Sequence, residues 1–282
     1  MSKIAVVVDS TSDLPAAERD RLGITVVPLN VHFGDEVLRD NVDISPTQFL
    51  ERLVTSRQLP TTSQPSPAVF EVAFRALAKN HDAVIAVTLS SKLSGTYQSA
   101  NIAAEVVSDT VRVEVIDSQM ASVALALMGV RAAELAGRSD DLGSIVQQLR
   151  AEIASYHLVF FADTLDLLQR GGRIGKAASM VGSVLKIKPI LRVDEGQVVP
   201  YERARTRSKA IDGLVDFVLG MPSVSQLGIL HDGNMRDAEL IRERVADRVS
   251  ADRVLYSQYG PVLGAHIGPG ALGVCVFEGV PI

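Results

Sequence analysis

The chain has 282 residues, 47% of them hydrophobic and 22% charged, with a net charge of −5 and one cysteine. That length accommodates two domains, and a mean hydropathy of +0.20 supports a large buried core. The acidic balance lacks the basic face that a nucleic-acid partner needs, and the lone Cys275 excludes an internal disulfide and a cysteine-based zinc site. Aromatics make up only 5% and Trp is absent. A core of Val, Ile, Leu and Ala suits α/β folds, whose parallel strands read as continuous aliphatic runs. The apolar run Ile4 to Val8 stops at Asp9, too short for a signal-peptide core. No run approaches the roughly 18–20 apolar residues of a membrane span. The expectation is a soluble protein of the cytoplasm.

The first strand is read in "KIAVVVDS", followed by a short helix in "SDLPAAERDRLG" with Ser12 or Asp13 as its cap and Gly23 at its end. "ITVVPLNVHFG" reads as the next strand. "SPTQFLERLVTS" and "SPAVFEVAFRALAKN" each open on a capping Ser followed by Pro, at Ser45-Pro46 and Ser66-Pro67. A strand over 83–89, a helix over about 96–107, the strand "VRVEVIDS" and a helix from about 120 to 137 follow. This βαβα order predicts a parallel sheet with helices on both faces. A helix in "DDLGSIVQQLRAEIASY" leads to the strand "HLVFFADT". Beyond it "KPILRVDEGQVVPYERA" reads as a hairpin turning at Asp194-Glu195-Gly196. Two strand–helix units and "YGPVLGAHIGPGALGVCVFEG" end the chain. The boundary is placed near residue 158, giving an N-terminal α/β domain over 1–158 and a C-terminal one over 159–282. No linker or internal repeat separates them.

Several stretches have the composition of a site. Asp9 and Ser10 end the first strand, where α/β sheets line ligand crevices. "LPTTSQPSP" (59–67) reads as a loop whose Thr61, Thr62 and Ser63 are held between prolines, a preorganised set of donors. "TLSSKLSGTYQSA" (88–100) is dense in hydroxyls. Ser94 there is either a helix cap or a donor at a helix N-terminus. The stretch is not a P-loop, since Gly-Lys-Ser/Thr is absent, and not a nucleophile elbow, since Gly-x-Ser-x-Gly is absent. "GAHIGPGALG" (264–273) places His266 in a glycine-rich turn with room for a ligand beside the ring. His32, His81, His157 and His231 read as structural, and no metal-ligand spacing occurs. Basic residues cluster at Arg170, Arg173 and Lys176, and again at Arg203, Arg205, Arg207 and Lys209. Such runs are either solvated faces or docking surfaces for an acidic partner or phosphate groups.

Taken in order, "DSTSDLP", "TSQPS" at 62–66, "LSGTYQSA" at 93–100, "GGRIG" and "HIGPGALG" resemble the DegV family, which includes the fatty-acid-binding subunits of bacterial fatty acid kinases. The resemblance covers nearly the whole chain. It implies two α/β domains enclosing a lipid, the first with a mainly parallel sheet flanked by helices, the second mixed. It implies a carboxylate held by Thr62, Ser94 and His266, with Ser63 and Thr96 as neighbours. Arg173 and the run from Arg203 to Arg207, with Arg170, then resemble surfaces that dock an ATP-dependent kinase subunit. Phosphoryl transfer to an acyl phosphate would occur on that subunit, and this chain would carry no cofactor or metal and no catalytic residue. Two other functions compete. One is a binding module or sensor for another small carboxylate or phosphate. The other is a hydrolase with Ser94 as nucleophile and His266 as base.

Overall fold

The computed structural model describes residues 3–56, 58–181 and 187–280. The opening apolar run forms β1 (Ile4–Asp9), buried throughout. After it come α1 (Ala16–Leu22), β2 (Thr25–Val27), β3 (Asn30–Phe33), β4 (Glu36–Arg39), α2 (Pro46–Thr55), β5 (Thr61–Ser63) and α3 (Pro67–Leu77). Then follow β6 (Ala83–Thr88), α4 (Thr96–Val106), β7 (Arg112–Asp117), α5 (Val123–Ala136), α6 (Leu142–Glu152), β8 (Tyr156–Phe161) and α7 (Asp166–Arg170). The chain continues through β9 (Lys188–Asp194), β10 (Gln197–Ala204), α8 (Arg207–Gly220), β11 (Gln226–His231) and α9 (Met235–Arg244). It closes with β12 (Val254–Gln258), α10 (Pro261–Ile267) and β13 (Leu272–Phe277).

Among the described residues these strands form three sheets. The first has the order β2-β1-β6-β7, and every neighbour is parallel. Alternate residues of its central strands meet different helices. Ala5, Val7, Val84 and Ala86 cluster with Phe70 and Phe74 of α3 and with Ala100 and Ala103 of α4. Val6, Val8, Ile85 and Val87 cluster with α5. Both faces are covered, which is why these strands read as unbroken aliphatic runs. The second sheet has the order β10-β9-β8-β13-β11-β12 and is mixed, with β11 and β12 as its parallel pair. Leu214 and Val218 of α8 and Ile241 of α9 cover one face of it. Its other face carries Leu158, Phe160, Leu191 and Leu230 into the core that α5 fills. The fold is therefore α/β, a parallel sheet flanked by helices joined to a mixed α/β unit.

Helix α5 lies between the two sheets. Its buried residues run through every turn, as expected for a helix apolar on all sides. Two glycines set the approach. A Cβ on Gly129 of α5 would stand 2.7 Å from a methyl of Val8 in β1, and one on Gly228 of β11 would stand 2.4 Å from a methyl of Val123.

Four local expectations need correction. Neither Ser12 nor Asp13 caps α1, whose first flanking residue is Pro15; Asp9 instead caps a short 3-10 turn over Ser10–Ser12. "ITVVPLNVHFG" is two strands in different sheets. Pro28 interrupts the run, so β2 pairs with β1 while β3 pairs with β4 and β5 in a small antiparallel sheet. The expected loop over 59–67 contains β5, whose Thr62 pairs with Val31. His266 lies in the last turn of α10, not in a turn. The hairpin at 194–196 forms as read, with positive φ at Glu195 and Gly196 as a tight two-residue turn demands. Residue 158 lies within β8, all of which pairs in the second sheet. No helix among the described residues is long and apolar enough to cross a membrane.

Gly129→Val is expected to lower stability by about 1–3 kcal/mol through overpacking against β1, read as a lower denaturant midpoint at unchanged slope.

Candidate functional site

The hydroxyl-rich stretch after β6 divides its work. Ser90 Oγ donates to the Gly196 carbonyl at 2.8 Å and so binds the tip of the β9–β10 hairpin. Ser91 donates to Asp117 at 2.5 Å. Ser94 is left facing a cavity. It does not cap α4, whose flanking residue is Gly95; its Oγ meets the Thr96 hydroxyl at 2.9 Å and accepts the Thr96 N–H at 3.3 Å. Thr96 is fully buried behind it.

Thr62 of β5 and His266 of α10 are 204 positions apart in sequence, and their Oγ1 and Nε2 atoms lie 2.9 Å apart. Ser63 is turned toward the small sheet, where its Oγ lies 2.8 Å from His32 Nε2 and 3.4 Å from the Asn30 amide. Arg173 reaches across from beyond α7. Its Nε donates to the Leu93 carbonyl at 3.1 Å and its Nη1 to the Gly171 carbonyl at 2.5 Å. Gly171 is tight against the ring, since a Cβ there would stand 2.4 Å from His266 Nδ1. That Nδ1 is buried without a hydrogen-bond partner. Burial first, and the nearby Arg173 charge second, push the imidazole down from its ordinary value to about 4. His266 is therefore neutral at pH 7.

Thr62, Ser63, Ser94, Arg173 and His266 line one cavity. Its empty space is about 840 Å³, counting the part open to solvent. Its enclosed part is only about 100 Å³, below the roughly 300–1,000 Å³ of small-molecule sites, so a long ligand needs the wall to give. The rest of the wall is mostly aliphatic and comes from the second sheet, α10 and the segment just beyond β6: Leu89, Leu158, Phe160, Val193, Leu230 and Val262 are examples. On the other side of the same polar residues lies a second depression, lined by Thr61, Thr62, Arg170, Gly171, Arg173 and His266. Thr62, Arg173 and His266 belong to both. They border both the apolar cavity and the depression beside it.

The sequence reading thus brings Thr62, Ser63, Ser94 and His266 together, with Thr96 one layer behind. Arg173, read from sequence as a docking residue, borders the cavity. Arg207 is held by Asp237 at 2.7 Å and by the Gly270 carbonyl at 2.6 Å, while Arg170, Arg203 and Arg205 are exposed. Sequence reasoning missed the apolar wall from β8, β9 and β10, because any buried strand supplies such residues. It also missed Gln64, Thr11 and Ser122, which line the cavity too; Gln64 stands inside the quoted "TSQPS" motif, the one available signal. Asp9 and Ser10 hold backbone. Asp9 accepts the Leu89 N–H at 2.6 Å and the Thr11 hydroxyl at 2.6 Å, and Ser10 Oγ donates to Asp40 at 2.6 Å.

A family model described as "Uncharacterised protein, DegV family" matches residues 3–279. The chain belongs to the DegV family. Among DegV relatives, a DegV domain-containing protein of Streptomyces coelicolor is 38% identical over 277 residues, covering 97% of this chain and 98% of that protein. A solved DegV family structure from Thermus thermophilus, described as fatty acid binding, superimposes with a TM-score of 0.89 at 35% identity. It covers 99% of this chain and 100% of that one. The DegV of Bacillus subtilis, described as a fatty acid binding protein, has a TM-score of 0.87 at 35% identity, with the same coverage.

Because the folded His266 binds its proton near pH 4, below the ordinary 6.5, the unfolded chain takes up that proton first. Its contribution to stability is complete above pH 6.5 and is lost as the pH falls toward 4. NMR of the ring is expected to show no titration between pH 8 and pH 5.5, and Arg173→Gln is expected to move the midpoint upward.

Proposed function

We propose that this chain binds a long-chain fatty acid and presents its carboxylate to a separate ATP-dependent kinase subunit, which forms the acyl phosphate. One observation carries the reading. Thr62, Arg173 and His266 stand between an aliphatic cavity and a surface depression, where a tail and a head group would part. The fatty acid binding described for the Thermus and Bacillus relatives supports it.

The energetics follow the geometry. Each buried methylene contributes about 0.8 kcal/mol, so a dozen supply roughly 10 kcal/mol before the costs of association. The head group adds orientation. His266 Nδ1 has no partner, and a buried orphan lone pair is tolerated better than a buried orphan N–H. With the Arg173 charge nearby as well, the ring hydrogen belongs on Nε2, donating to Thr62 Oγ1. The Thr62 hydroxyl is then free to donate to the ligand carboxylate. Ser94 supplies a second donor, positioned by Thr96, with Ser63 beside Thr62. Hydrogen bonds to a charged group are the stronger kind.

In this reading residues 1–158 supply the hydroxyls, and residues 159–282 supply His266 and the docking arginines. Arg170, Arg203 and Arg205 are exposed, while Arg173 and Arg207 are half-buried. The chain is a binding subunit of a bacterial cytoplasmic kinase and does no chemistry itself. A sensor of a small polar acid would call for a small polar pocket, and the wall here is mostly apolar. A hydrolase would need Ser94 and His266 joined, whereas Ser94 is bonded to Thr96 and His266 to Thr62.

Calorimetry of the lipid-free chain with a C16 or C18 fatty acid tests the reading, and an absence of binding would sink it. Ser94→Ala and Thr62→Val are each expected to weaken binding roughly 10-fold or more, as loss of a hydrogen bond to a charged group does. Arg203→Glu with Arg205→Glu is expected to leave that affinity unchanged and to slow acyl phosphate formation in an assay with kinase and ATP. Equal rates would remove the docking assignment.

A further inference from the structure

Helix α10 carries His266 in its last turn, and its first turn is held by two buried carboxylates from the other end of the chain. The Gly260 N–H donates to Asp13 Oδ1 at 2.8 Å, and the Val262 N–H donates to Asp40 Oδ1 at 3.3 Å. Pro261 stands between them and has no N–H to offer. Both acids are almost fully buried, at 7% and 1% exposure. Each is held from behind. Ser122 Oγ donates to Asp13 Oδ2 at 3.0 Å, and Ser10 Oγ donates to Asp40 Oδ2 at 2.6 Å. Ser257 Oγ, at the end of β12, donates to the Asp13 carbonyl at 2.7 Å. Asp13 keeps a left-handed backbone at φ 51°, which aspartate tolerates better than most residues.

The two carboxyls converge on one point. A Cβ on Gly260 would stand 2.9 Å from Asp40 Oδ1 and 3.2 Å from Asp13 Oδ1, so only glycine leaves them room. Val262 and His266 are four residues apart on the same helix face, and both line the cavity. Fixing the Val262 N–H therefore fixes the face that presents the imidazole. At the far end the Tyr259 hydroxyl donates to the Gly268 carbonyl at 2.7 Å.

We propose that Asp13 and Asp40 are positioning residues for the head-group site: they anchor the first turn of α10 and through it hold His266 Nε2 on Thr62. They touch no ligand. The inference rests on the carboxylate reading of the site for its effect on affinity, and on geometry alone for its effect on the ring. Burial pushes both acids up, Asp40 to about 7 and Asp13 well above its ordinary value, so an asparagine resembles the neutral acid and keeps its carbonyl acceptor.

The test uses the full, lipid-free chain with labelled histidines, in the variants Asp40→Ala, Asp40→Asn and Asp13→Gly. Asp13→Gly removes the carboxyl without straining the left-handed backbone. In the absence of lipid, the His266 ring signal is expected to move toward that of a free histidine in Asp40→Ala and Asp13→Gly, and to stay near wild type in Asp40→Asn. Affinity for a C18 fatty acid is expected to fall about 10-fold in the first two and to return within about threefold in Asp40→Asn. On a His266→Ala background, Asp40→Ala is expected to cost less than about twofold, because a residue acting through another loses its effect when that other is gone. An unchanged ring signal in folded Asp40→Ala, or the full penalty on the His266→Ala background, overturns the proposal. Should the Asp40→Ala and Asp13→Gly chains fail to fold, Ser10→Ala frees Asp40 on one side and must move the ring signal in the same direction; no movement overturns it. If the wild-type chain binds no fatty acid, the functional reading falls, while the ring signal still decides the positioning.

Discussion

Two sheets of different construction press on one helix, and the cavity is a consequence of that arrangement. Helix α5 is buried from Val123 to Ala132, and both sheets close on it, with Gly129 and Gly228 allowing the backbones near. Each sheet spends one face on its own helices, α3 and α4 for the first, α8 and α9 for the second. The remaining faces look toward each other. At the start of α5 the gap between them is filled by neither, and leucines and valines of the second sheet and α10, with Leu29 and Leu89 from loops beyond the first sheet's strands, surround the space. Interiors pack to near-crystalline density, and this small apolar space bordered by polar groups departs from the packing around it.

The polar residues at this seam fall into two groups with opposite electrostatic characters. Asp9, Asp13 and Asp40 are buried acids that accept backbone N–H groups across elements, and burial raises all three. They hold chain segments together where no sheet ladder reaches. His266 is a buried base that burial and Arg173 keep neutral. A neutral imidazole costs little to desolvate and orients a hydroxyl without adding a charge to the cavity wall. The cation at the site is Arg173, anchored on the Leu93 and Gly171 carbonyls. It borders two neighbouring depressions.

Much of this was legible in the residues. The unbroken aliphatic runs of β1 and β6 announce a parallel sheet, and Ser45 caps α2 as its Ser-Pro start suggests, with Gln48 completing a capping box. Thr62, Ser94 and His266 were picked out by motif. What misled was local chemistry with two uses. A Ser or Asp before a helix looks like a cap, yet Asp13 reaches 247 positions along the chain to Gly260, and Ser94 bonds to Thr96. Pro28 was read through as part of one strand, although proline cannot donate to a ladder, and the two halves joined different sheets.

By itself the sequence determined the fold class, the hairpin at 194–196 and a short set of hydroxyls with one histidine that border the cavity. These depend on periodicity, turn chemistry and side-chain type, which are local. Only the tertiary structure decided that Thr62 and His266 share a hydrogen bond, that Arg173 joins them, and which of many aliphatic residues bound the cavity. Those are matters of packing between distant segments. An aliphatic side chain buried against a helix and one facing an empty chamber are written with the same letters.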